Sequence, residues 1–524
     1  MAKKTVVFIL IFSISLLFRF QKIHVPFWVD EFSTANQAAL LQKYSWKLFT
    51  QKDRYIEARS LSTTSIVAGS FLIFGKSEES ARLPIEIIGS LIPFLVFYLS
   101  KILVPERKVV RFSATLLSIT SYFLITWSRQ ARGYALQEFL LLLTVIGYFL
   151  FFNHSNIRKK IFWLVMSGLS IILGLLTHPS FLIVPMCLFT HLVLVHKEQL
   201  LKFPKKRWLT SITAAIIGLV GIFFFKTGLL EQIVTQCLSL VTHGLSNNIW
   251  YYHSFLWREY GLVTLLGIIG LLYLVINNFK KGILLTGILV SYLIFVCFLF
   301  PAVDSRYILP IFPYLLVGMA ISLDLLIQSV FTKVNKKSSE KQLLISVLSG
   351  CCTILVILNG HKFDIKPNSF YSVNHDFREI ALIDYDQVYS VIKQKGDLAS
   401  GKTAVIDTWP DRLEWYLGLD FEPNYVLRWE DAGFMKQTPF RLQSNGDKVL
   451  VGRSQTKLIA TQQDLLKVLS LYPKGFIWID DTSLPAEVID YARTHFRQEL
   501  YLDHYPLDDN PYSVWPGTLY SWGY

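Results

Sequence analysis

The chain has 524 residues, of which 52% are hydrophobic, 15% aromatic and only 17% charged. A soluble enzyme of this size carries charge on about a quarter of its residues, so this composition excludes an ordinary soluble protein. The formal net charge is +13, but much of the basic excess lies in short clusters between apolar runs. That distribution is a membrane-topology signal rather than a nucleic-acid-binding surface, so we predict no nucleic acid partner.

Long apolar runs follow one another up to residue 359, and they approach the roughly 20 residues needed to cross a bilayer. We therefore predict an α-helical polytopic membrane protein with about eleven transmembrane helices. Their approximate bounds are 5–23, 84–104, 109–127, 134–152, 161–177, 179–196, 209–226, 261–277, 282–300, 308–328 and 343–359.

The turns between these spans alternate in charge. With a cytoplasmic N-terminus, the inside turns include 101–111, 154–160 and 196–208, and all are rich in Lys and Arg. Cytoplasmic loops carry such an excess of basic residues. We therefore predict a cytoplasmic N-terminus and, because the number of spans is odd, a C-terminus outside.

The first outside loop, about 24–83, contains two further apolar segments. Residues 33–49 have apolar side chains at roughly helical spacing, which predicts an amphipathic helix at the membrane interface. Residues 62–75 are apolar but short for a span, and they are typical of a re-entrant or interfacial helix.

The composition changes after about residue 360. Residues 403–409 and 475–481 have the apolar pattern of buried strands, and helices are predicted at 411–418, 461–472 and 484–496. Alternating strands and helices predict a small extracytoplasmic α/β domain over 360–524, after a transmembrane domain over 1–359. This second region has no glycine-rich nucleotide-binding loop.

Adjacent acids at Asp30 and Glu31 begin the first outside loop, in the stretch "HVPFWVDEFSTANQ" (24–37). Loop acids often just mark the water interface. These two, however, lie between Trp28 and the predicted amphipathic helix, where a partly desolvated carboxylate can serve as a general base. Glu57 is a second acid on the same loop, and on its own it is typical of a solvated charge cluster.

Basic residues are usually less frequent in outside segments than in cytoplasmic loops, so arginines predicted on the outside require an explanation. Arg129 and Arg132 would share one face of a helix beginning there, and Arg306 precedes the span at 308–328. They either pair with acids such as Asp304 and Glu138 or bind an anion, for which the guanidinium group suits phosphate.

Several other residues are candidates near these arginines. Arg59 flanks Glu57, and Tyr307 follows Arg306. His178 lies in a short outside turn before Pro179, where a helix-breaking turn is the simpler interpretation.

The five cysteines show no metal-ligand or disulfide spacing. No ligand cluster is convincing, so we assign no metal-binding residue and no cofactor, and dependence on a divalent cation is left open.

Acids and arginines on one side of a helical bundle match the chemistry of sugar transfer from a lipid-phosphate donor. An acid accepts the proton of an acceptor hydroxyl or amine, while arginines stabilise the departing lipid phosphate.

Four segments resemble the membrane glycosyltransferases of the GT-C class, and in particular family 39. That family includes the protein O-mannosyltransferases and the aminoarabinose transferase that modifies lipid A. The segments are "WVDEFSTANQ" (28–37), "IFGKSEESARLPIEIIGSLIPFLVFYL" (73–99), "WSRQARGYALQEFLLLL" (127–143) and "DSRYILPIFPYLLVG" (304–318). The match covers about 1–330, and the C-terminal domain is similar to that of the aminoarabinose transferase only in placement and general pattern.

The resemblance implies an inverting transferase of a bacterial-type plasma membrane, using a polyprenyl-phosphate-linked sugar and a lipid, glycan or protein acceptor. By this resemblance Asp30 takes the place of the catalytic aspartate, and Glu57 falls within a residue of the second acid. Arg306 takes the place of a basic residue near the donor phosphate. We therefore predict that Asp30 is the base or acceptor-orienting acid, assisted by Glu31 or Glu57, and that Arg306, Arg129 and Arg132 hold the donor phosphate. The chain departs from many relatives at "ARSLS" (58–62), where they carry His-Pro-Pro or Asn-His-Pro.

Two other classes of protein stay open from the sequence. One is a polytopic lipid or solute transporter, although the inverted repeats of many transporters are not visible here. The other is a non-catalytic, glycan-binding relative, which would be expected to lack the acids present in this chain.

Overall fold

The structure is a computed structural model. It describes residues 2–21, 23–24, 26–45, 60–198, 231, 234–235, 238, 244–331, 338–359, 384–418, 420–429, 442–445, 448–451, 456–480, 484–502 and 517–524.

Two compact units make up the chain. We call the first the helical unit, and it comprises Met1–Ile23, Glu57–Ile66 and Arg82–Asn368. We call the second the mixed unit, and it comprises His24–Ile56, Val67–Ala81 and Ser369–Tyr524. The predicted domain boundary near 360 stays a prediction, and nothing in the sequence pattern indicated that parts of the first loop group with the C-terminal residues.

The described part of the chain up to residue 359 is helical. Its α-helices are α1 (Ala2–Phe20), α2 (Val29–Tyr44), α3 (Leu61–Phe74), α4 (Glu78–Leu103), α5 (Lys108–Thr120), α6 (Tyr122–Ser128), α7 (Tyr134–Asn153), α8 (Ile157–Leu175), α9 (Ile183–Val195), α10 (Ile249–Ser254), α11 (Gly261–Asn277), α12 (Phe279–Ile294), α13 (Phe312–Phe331) and α14 (Ser338–Asn359).

Four helical segments within the described residues are long and apolar enough to cross a membrane. They are Glu78–Leu103, Tyr134–Asn153, Phe279–Leu299 and Ser305–Ser329. A fifth candidate, Ile249–Glu259 with Gly261–Asn277, is bent by 99°. The predicted polytopic helical fold is confirmed, whereas the number of spans stays a prediction, and the span expected at 209–226 lies outside the described residues.

One predicted span is interrupted, and one short apolar segment is helical. The span expected at 109–127 is divided at Ser121 into α5 and α6, and the short apolar segment at 62–75 is helix α3. At 14 residues, α3 is about 21 Å long by the helical rise, which is too short to cross a bilayer unaided.

Glycines bring α11 and α13 into backbone contact in the helical unit. A Cβ on Gly267 would lie 2.9 Å from the carbonyl oxygen of Leu315, and one on Gly270 would overlap the backbone of Gly318. Small residues allow this close approach between membrane helices, so these positions determine how the two helices pack.

The mixed unit contains an eight-stranded sheet of order β3-β4-β5-β2-β1-β6-β8-β7. The strands are β1 (Thr403–Asp407), β2 (Asn424–Leu427), β3 (Leu442–Asn445), β4 (Lys448–Val451), β5 (Thr456–Ile459), β6 (Lys474–Ile479), β7 (Arg497–Leu502) and β8 (Gly517–Trp522). The central strands β5, β2, β1 and β6 are parallel, and the outer pairings are antiparallel.

The helices of the sheet region are α15 (Tyr385–Lys395), α16 (Pro410–Leu417), α17 (Gln462–Leu471) and α18 (Ala486–His495). Both predicted strands and all three predicted helices of this region are therefore confirmed. So is its α/β character, because helices connect the parallel strands.

Helix α2 differs from the prediction in two respects. It begins at Val29 rather than near residue 33, so the two acids lie within its first turn. The amphipathic interpretation is wrong, because the helix is buried on most of its sides, from Glu31 and Phe32 through Leu40.

Candidate functional site

Glu31 and Asp30 have different environments at the start of α2. Glu31 is fully buried, and its Oε2 accepts a hydrogen bond of 3.0 Å from the backbone N–H of Trp28. A carboxylate in this position satisfies an end group of the helix that would otherwise lack a partner. Asp30 is half-buried. The structure thus gives the two neighbouring acids distinct local surroundings.

The second predicted acid, Glu57, and its neighbour Arg59 lie outside the described residues. Their predicted roles therefore stay predictions.

An arginine and aromatic cluster forms in the helical unit around Tyr134. The guanidinium carbon of Arg306 lies 5.5 Å from the ring centroid of Tyr134, 5.4 Å from that of Tyr307 and 5.8 Å from that of Trp127. Arg132 reaches the same Tyr134 ring at 5.9 Å. Aromatic faces attract cations at these distances, so two of the predicted arginines share one aromatic partner.

Backbone geometry explains why Arg306 occupies this place. Asp304 precedes a 3-10 turn, Ser305–Ile311, and its Oδ1 accepts a hydrogen bond of 3.1 Å from the Arg306 backbone N–H. Its Oδ2 lies 3.3 Å from Arg306 Nε. The predicted pairing of Asp304 with Arg306 is present, and it coexists with the aromatic contacts rather than replacing them.

His178 borders the same cluster. Its ring centroid is 5.9 Å from that of Tyr307 and 6.2 Å from that of Tyr134. Its Nδ1 accepts a hydrogen bond of 3.2 Å from the backbone N–H of Ser180. Because Nδ1 is an acceptor, the neutral imidazole carries its proton on Nε2. His178 therefore caps a turn, as its simpler interpretation predicts, and also lies beside the arginine and aromatic cluster.

Arg129 does not share a helical face with Arg132. Helix α6 ends at Ser128 and α7 begins at Tyr134, so both arginines lie in the connection between them. Arg129 Nη2 donates to the carbonyl oxygen of Phe18 at 2.5 Å and approaches Gln21 Oε1 at 3.4 Å. The prediction of one common helical face is wrong because the helix is interrupted at these residues.

A buried charged group lies in the helical unit; the sequence pointed to Glu138 as a pairing acid but not to Arg19 and Glu86. Arg19, Glu86 and Glu138 are all fully buried in the helical unit, and Arg19 interacts electrostatically with both acids and with Arg129. A Cβ on Gly89 would lie 2.3 Å from the Cβ of Ser128 and 3.3 Å from Arg19 Nε, so the glycine allows Ser128 and the guanidinium to pack closely on α4. The available signal was the presence of charged residues within apolar spans, which is a functional indication by default.

A polar cleft of about 300 Å³ opens within the mixed unit. It is lined by His24, Lys76, Ser77, Glu78, Glu79, Asp386, Lys393, Trp415 and Tyr416. The Tyr416 hydroxyl donates to Glu78 Oε1 at 2.9 Å, and Lys76 Nζ lies 4.3 Å from a Trp415 ring centroid. Partial burial raises the pKa of Asp386, and the charges of Asp384 and Glu79 raise it further.

Metal ligands are not grouped in the part of the chain that the structure describes: there, no three His, Cys, Asp or Glu side chains lie together where they could hold a metal ion.

Comparison with known proteins shows what the chain is similar to. The family model of dolichyl-phosphate-mannose-protein mannosyltransferases matches residues 61–224. No curated protein sequence matches the chain.

Solved structures share the fold over nearly the whole chain. ArnT from Cupriavidus metallidurans in the apo state is 12% identical, with a TM-score of 0.54 over 99% of this chain and 96% of that one. The same protein bound to undecaprenyl phosphate is 11% identical, with a TM-score of 0.51 over 99% and 97%. An oligosaccharyltransferase from Archaeoglobus fulgidus, in complex with Zn and sulfate, is 13% identical, with a TM-score of 0.52 over 90% and 67%.

These matches confirm the fold that the four sequence segments predict. The chain has the fold of the GT-C membrane glycosyltransferases, as a multi-pass helical protein with a C-terminal sheet region.

Proposed function

We propose that the protein is an inverting glycosyltransferase that moves a sugar from a polyprenyl-phosphate-linked donor to an acceptor outside a bacterial-type plasma membrane. The observation that carries this proposal is the arginine and aromatic cluster, in which Arg306 and Arg132 both contact Tyr134. Guanidinium groups bind phosphate oxygens in a two-point geometry. A protein of this fold binds undecaprenyl phosphate in its solved structure, which supports a lipid of this chemistry as the donor carrier.

In this reaction the acceptor hydroxyl attacks the anomeric carbon of the donor sugar. Its proton passes to the carboxylate of Asp30, and the bond between the anomeric carbon and the phosphate oxygen breaks. Arg306 and Arg132 stabilise the polyprenyl phosphate that leaves, because its charge develops as that bond breaks. Attack from the face opposite the phosphate inverts the anomeric configuration.

Asp30 is a better candidate for the base than Glu31. Glu31 is fully buried, and its Oε2 already accepts a hydrogen bond from Trp28. We assign Glu31 to holding the start of α2 and Asp30 to the proton transfer. Glu57 and Arg59 would assist from the same loop, and Arg129, His178 and Tyr307 would complete the donor side of the site.

Substitution of the proposed base tests this function. Asp30→Asn should lower sugar transfer by about 10²- to 10⁴-fold, which is the usual contribution of a general base. The assay is transfer of radiolabelled sugar from a polyprenyl-phosphate donor in membranes, with the accepting glycan, lipid or protein fraction identified from a deletion strain.

Glu31→Gln is the matched control, because its side-chain oxygen can still accept the hydrogen bond from Trp28. It should retain most of the transfer activity. Wild-type transfer by Asp30→Asn would refute the proposed base, and solute uptake into vesicles without any sugar transfer would favour a transporter instead.

A further inference from the structure

The parallel strands of the mixed unit reverse their order beside β1. The chain passes from β1 through α16 to β2 on one side, whereas β6 pairs with β1 on the other side. In open α/β sheets, ligands bind in the crevice outside the carboxyl ends of the strands at such a point. The residues that follow β1 and β6 therefore indicate what this sheet does.

Charged side chains of the chain itself occupy that crevice. Asp407 ends β1, Asp480 follows β6, and Arg412 of α16 lies between them with 1% of its area exposed. Arg412 Nη1 donates to Asp480 Oδ2 at 2.5 Å, and its Nη2 pairs with Asp407 Oδ1. Burial alone would raise the pKa of Asp480, but the guanidinium of Arg412 outweighs it and lowers that pKa.

Further hydrogen bonds complete this group. The Thr408 hydroxyl donates to Asp480 Oδ1 at 2.5 Å, and the Tyr389 hydroxyl donates to Asp407 Oδ2. The Arg412 guanidinium carbon lies 4.4 Å from the Tyr385 ring centroid. A buried ion triad, Asp407–Arg412–Asp480, thus occupies the crevice in which sheets of this kind usually bind a ligand. The triad holds α16 against the ends of β1 and β6.

Helix α16 also contacts α2, the helix that carries Asp30. Asn36 Nδ2 donates to the carbonyl oxygen of Asp411 at 2.6 Å, and this bond is buried. The Phe32 ring lies 5.8 Å from that of Tyr416, and the Phe27 ring lies 5.0 Å from that of Trp415. Asp30 is therefore two residues from a side chain that packs directly on α16.

We propose that the buried ion triad and Asn36 are a positioning device for Asp30, so that the C-terminal sheet holds the catalytic helix of the first loop through α16. This inference rests on the proposed function, because it assigns Asp30 the role of base. Arg412 and Asn36 are positioning residues and do not contact the substrate. They determine the position of the Asp30 carboxylate. A displacement of a catalytic group by about 1 Å can lower the rate on the order of 100-fold.

The test uses the full-length protein in membranes. Asn36→Leu removes the bond to Asp411 with little change in volume, and it should lower kcat for sugar transfer by about 10-fold or more. The KM for the polyprenyl-phosphate donor should stay within about 2-fold of wild type, because the arginines proposed to bind the phosphate belong to the helical unit. Arg412→Lys should likewise lower kcat and leave the KM for the donor nearly unchanged.

Lys43→Met is the matched control. Lys43 is on the same helix α2 and forms an exposed ion pair with Asp420, just after α16. Exposed pairs contribute little, so this variant should keep the wild-type kcat.

Three results would overturn the positioning role. They are a wild-type kcat for Asn36→Leu, an equal loss for Lys43→Met, and a loss in kcat matched by a proportionate loss of folded protein on thermal unfolding. Failure of the proposed function is separately visible, because Asp30→Asn would then transfer sugar normally whatever the result at Asn36.

Discussion

Tyr134 is the residue on which the arginine and aromatic cluster depends. Its ring contacts both Arg132 and Arg306, and it is 6% exposed. A cation over an aromatic face gains about 0.5–2 kcal/mol. The ring therefore holds the two guanidinium groups near one another in spite of their like charge.

Substitutions at Tyr134 should distinguish the contribution of its aromatic ring to donor binding from that of its hydroxyl group. Tyr134→Phe keeps the aromatic face, so donor affinity should stay near wild type. Tyr134→Ala removes it and should raise the donor KM by about 2- to 30-fold, which corresponds to one contact of the above energy. Steady-state transfer kinetics at varied donor concentration measure the change, and equal effects of both variants would contradict the role of the ring.

Sequence reasoning located part of this site. Arg132, His178, Arg306 and Tyr307 were all candidates, and the structure brings them together. Tyr134 was missed because an aromatic residue at the head of an apolar span is ordinary, and only its contacts distinguish it. The environment of Arg129 could not be foreseen because it depends on where α6 ends.

Helices α11 and α13 pack with their backbones in contact at Gly267, Gly270 and Gly318. Gly270→Leu would force a side chain into the backbone of Gly318. We expect destabilisation of about 1–3 kcal/mol, typical of overpacking. Thermal unfolding in detergent measures it. Gly287→Leu on α12 is the control, because no atom lies within 4 Å of a Cβ there, and equal effects of the two substitutions would contradict the packing argument.

The ion triad at the end of β1 should make the sheet sensitive to acid. The pKa of Asp480 is lowered in the folded protein, so its stabilisation is complete above the unfolded value of about 3.9. It is lost as the pH falls through the lower folded value. The unfolding temperature should therefore fall when the pH is lowered below about 4. The Asp480→Asn variant should be less stable than the wild type at pH 7, and its unfolding temperature should depend less on pH. An unchanged pH profile in that variant would exclude Asp480 as the cause.

Elements with strong local patterns were predictable, and those set by tertiary contacts were not. The strands at 403–409 and 475–481 are apolar runs bounded by polar residues, and the structure confirms both. Helix α2 was mislocated because its acids suit both a loop and a first helical turn. Its surface is buried by α16, which lies more than 360 positions later in the chain. The local spacing of apolar residues cannot predict so distant a partner.

On the scale of the whole molecule, the mixed unit is discontinuous in the chain. Phe27 and Phe71, from the two flanks of the first loop, both lie against Trp415 of α16, with ring centroids 5.0 and 6.1 Å away. The C-terminal sheet therefore completes its packing with residues from near the N-terminus.

A C-terminal fragment should consequently fail to behave as an independent domain. A fragment of residues 384–524 would expose Trp415 and Tyr416, which the first loop otherwise covers. We expect it to self-associate in size-exclusion chromatography, and replacing both aromatic residues by serine should reduce that association. A monodisperse fragment with a single cooperative unfolding transition would show that the sheet folds without the first loop.

Because the mixed unit is discontinuous in the chain, its N-terminal part is synthesised well before the C-terminal part on which it packs. Between Tyr44, the end of α2, and Pro410, the start of α16, the ribosome adds 410 − 44 = 366 residues. At about 5–20 residues per second, that takes about 20–70 s. Throughout this interval Phe27, Phe32 and Asn36 exist without the helix that later covers them. Helix α2 can therefore take its final packing against α16 only after the ribosome has made that helix, late in synthesis.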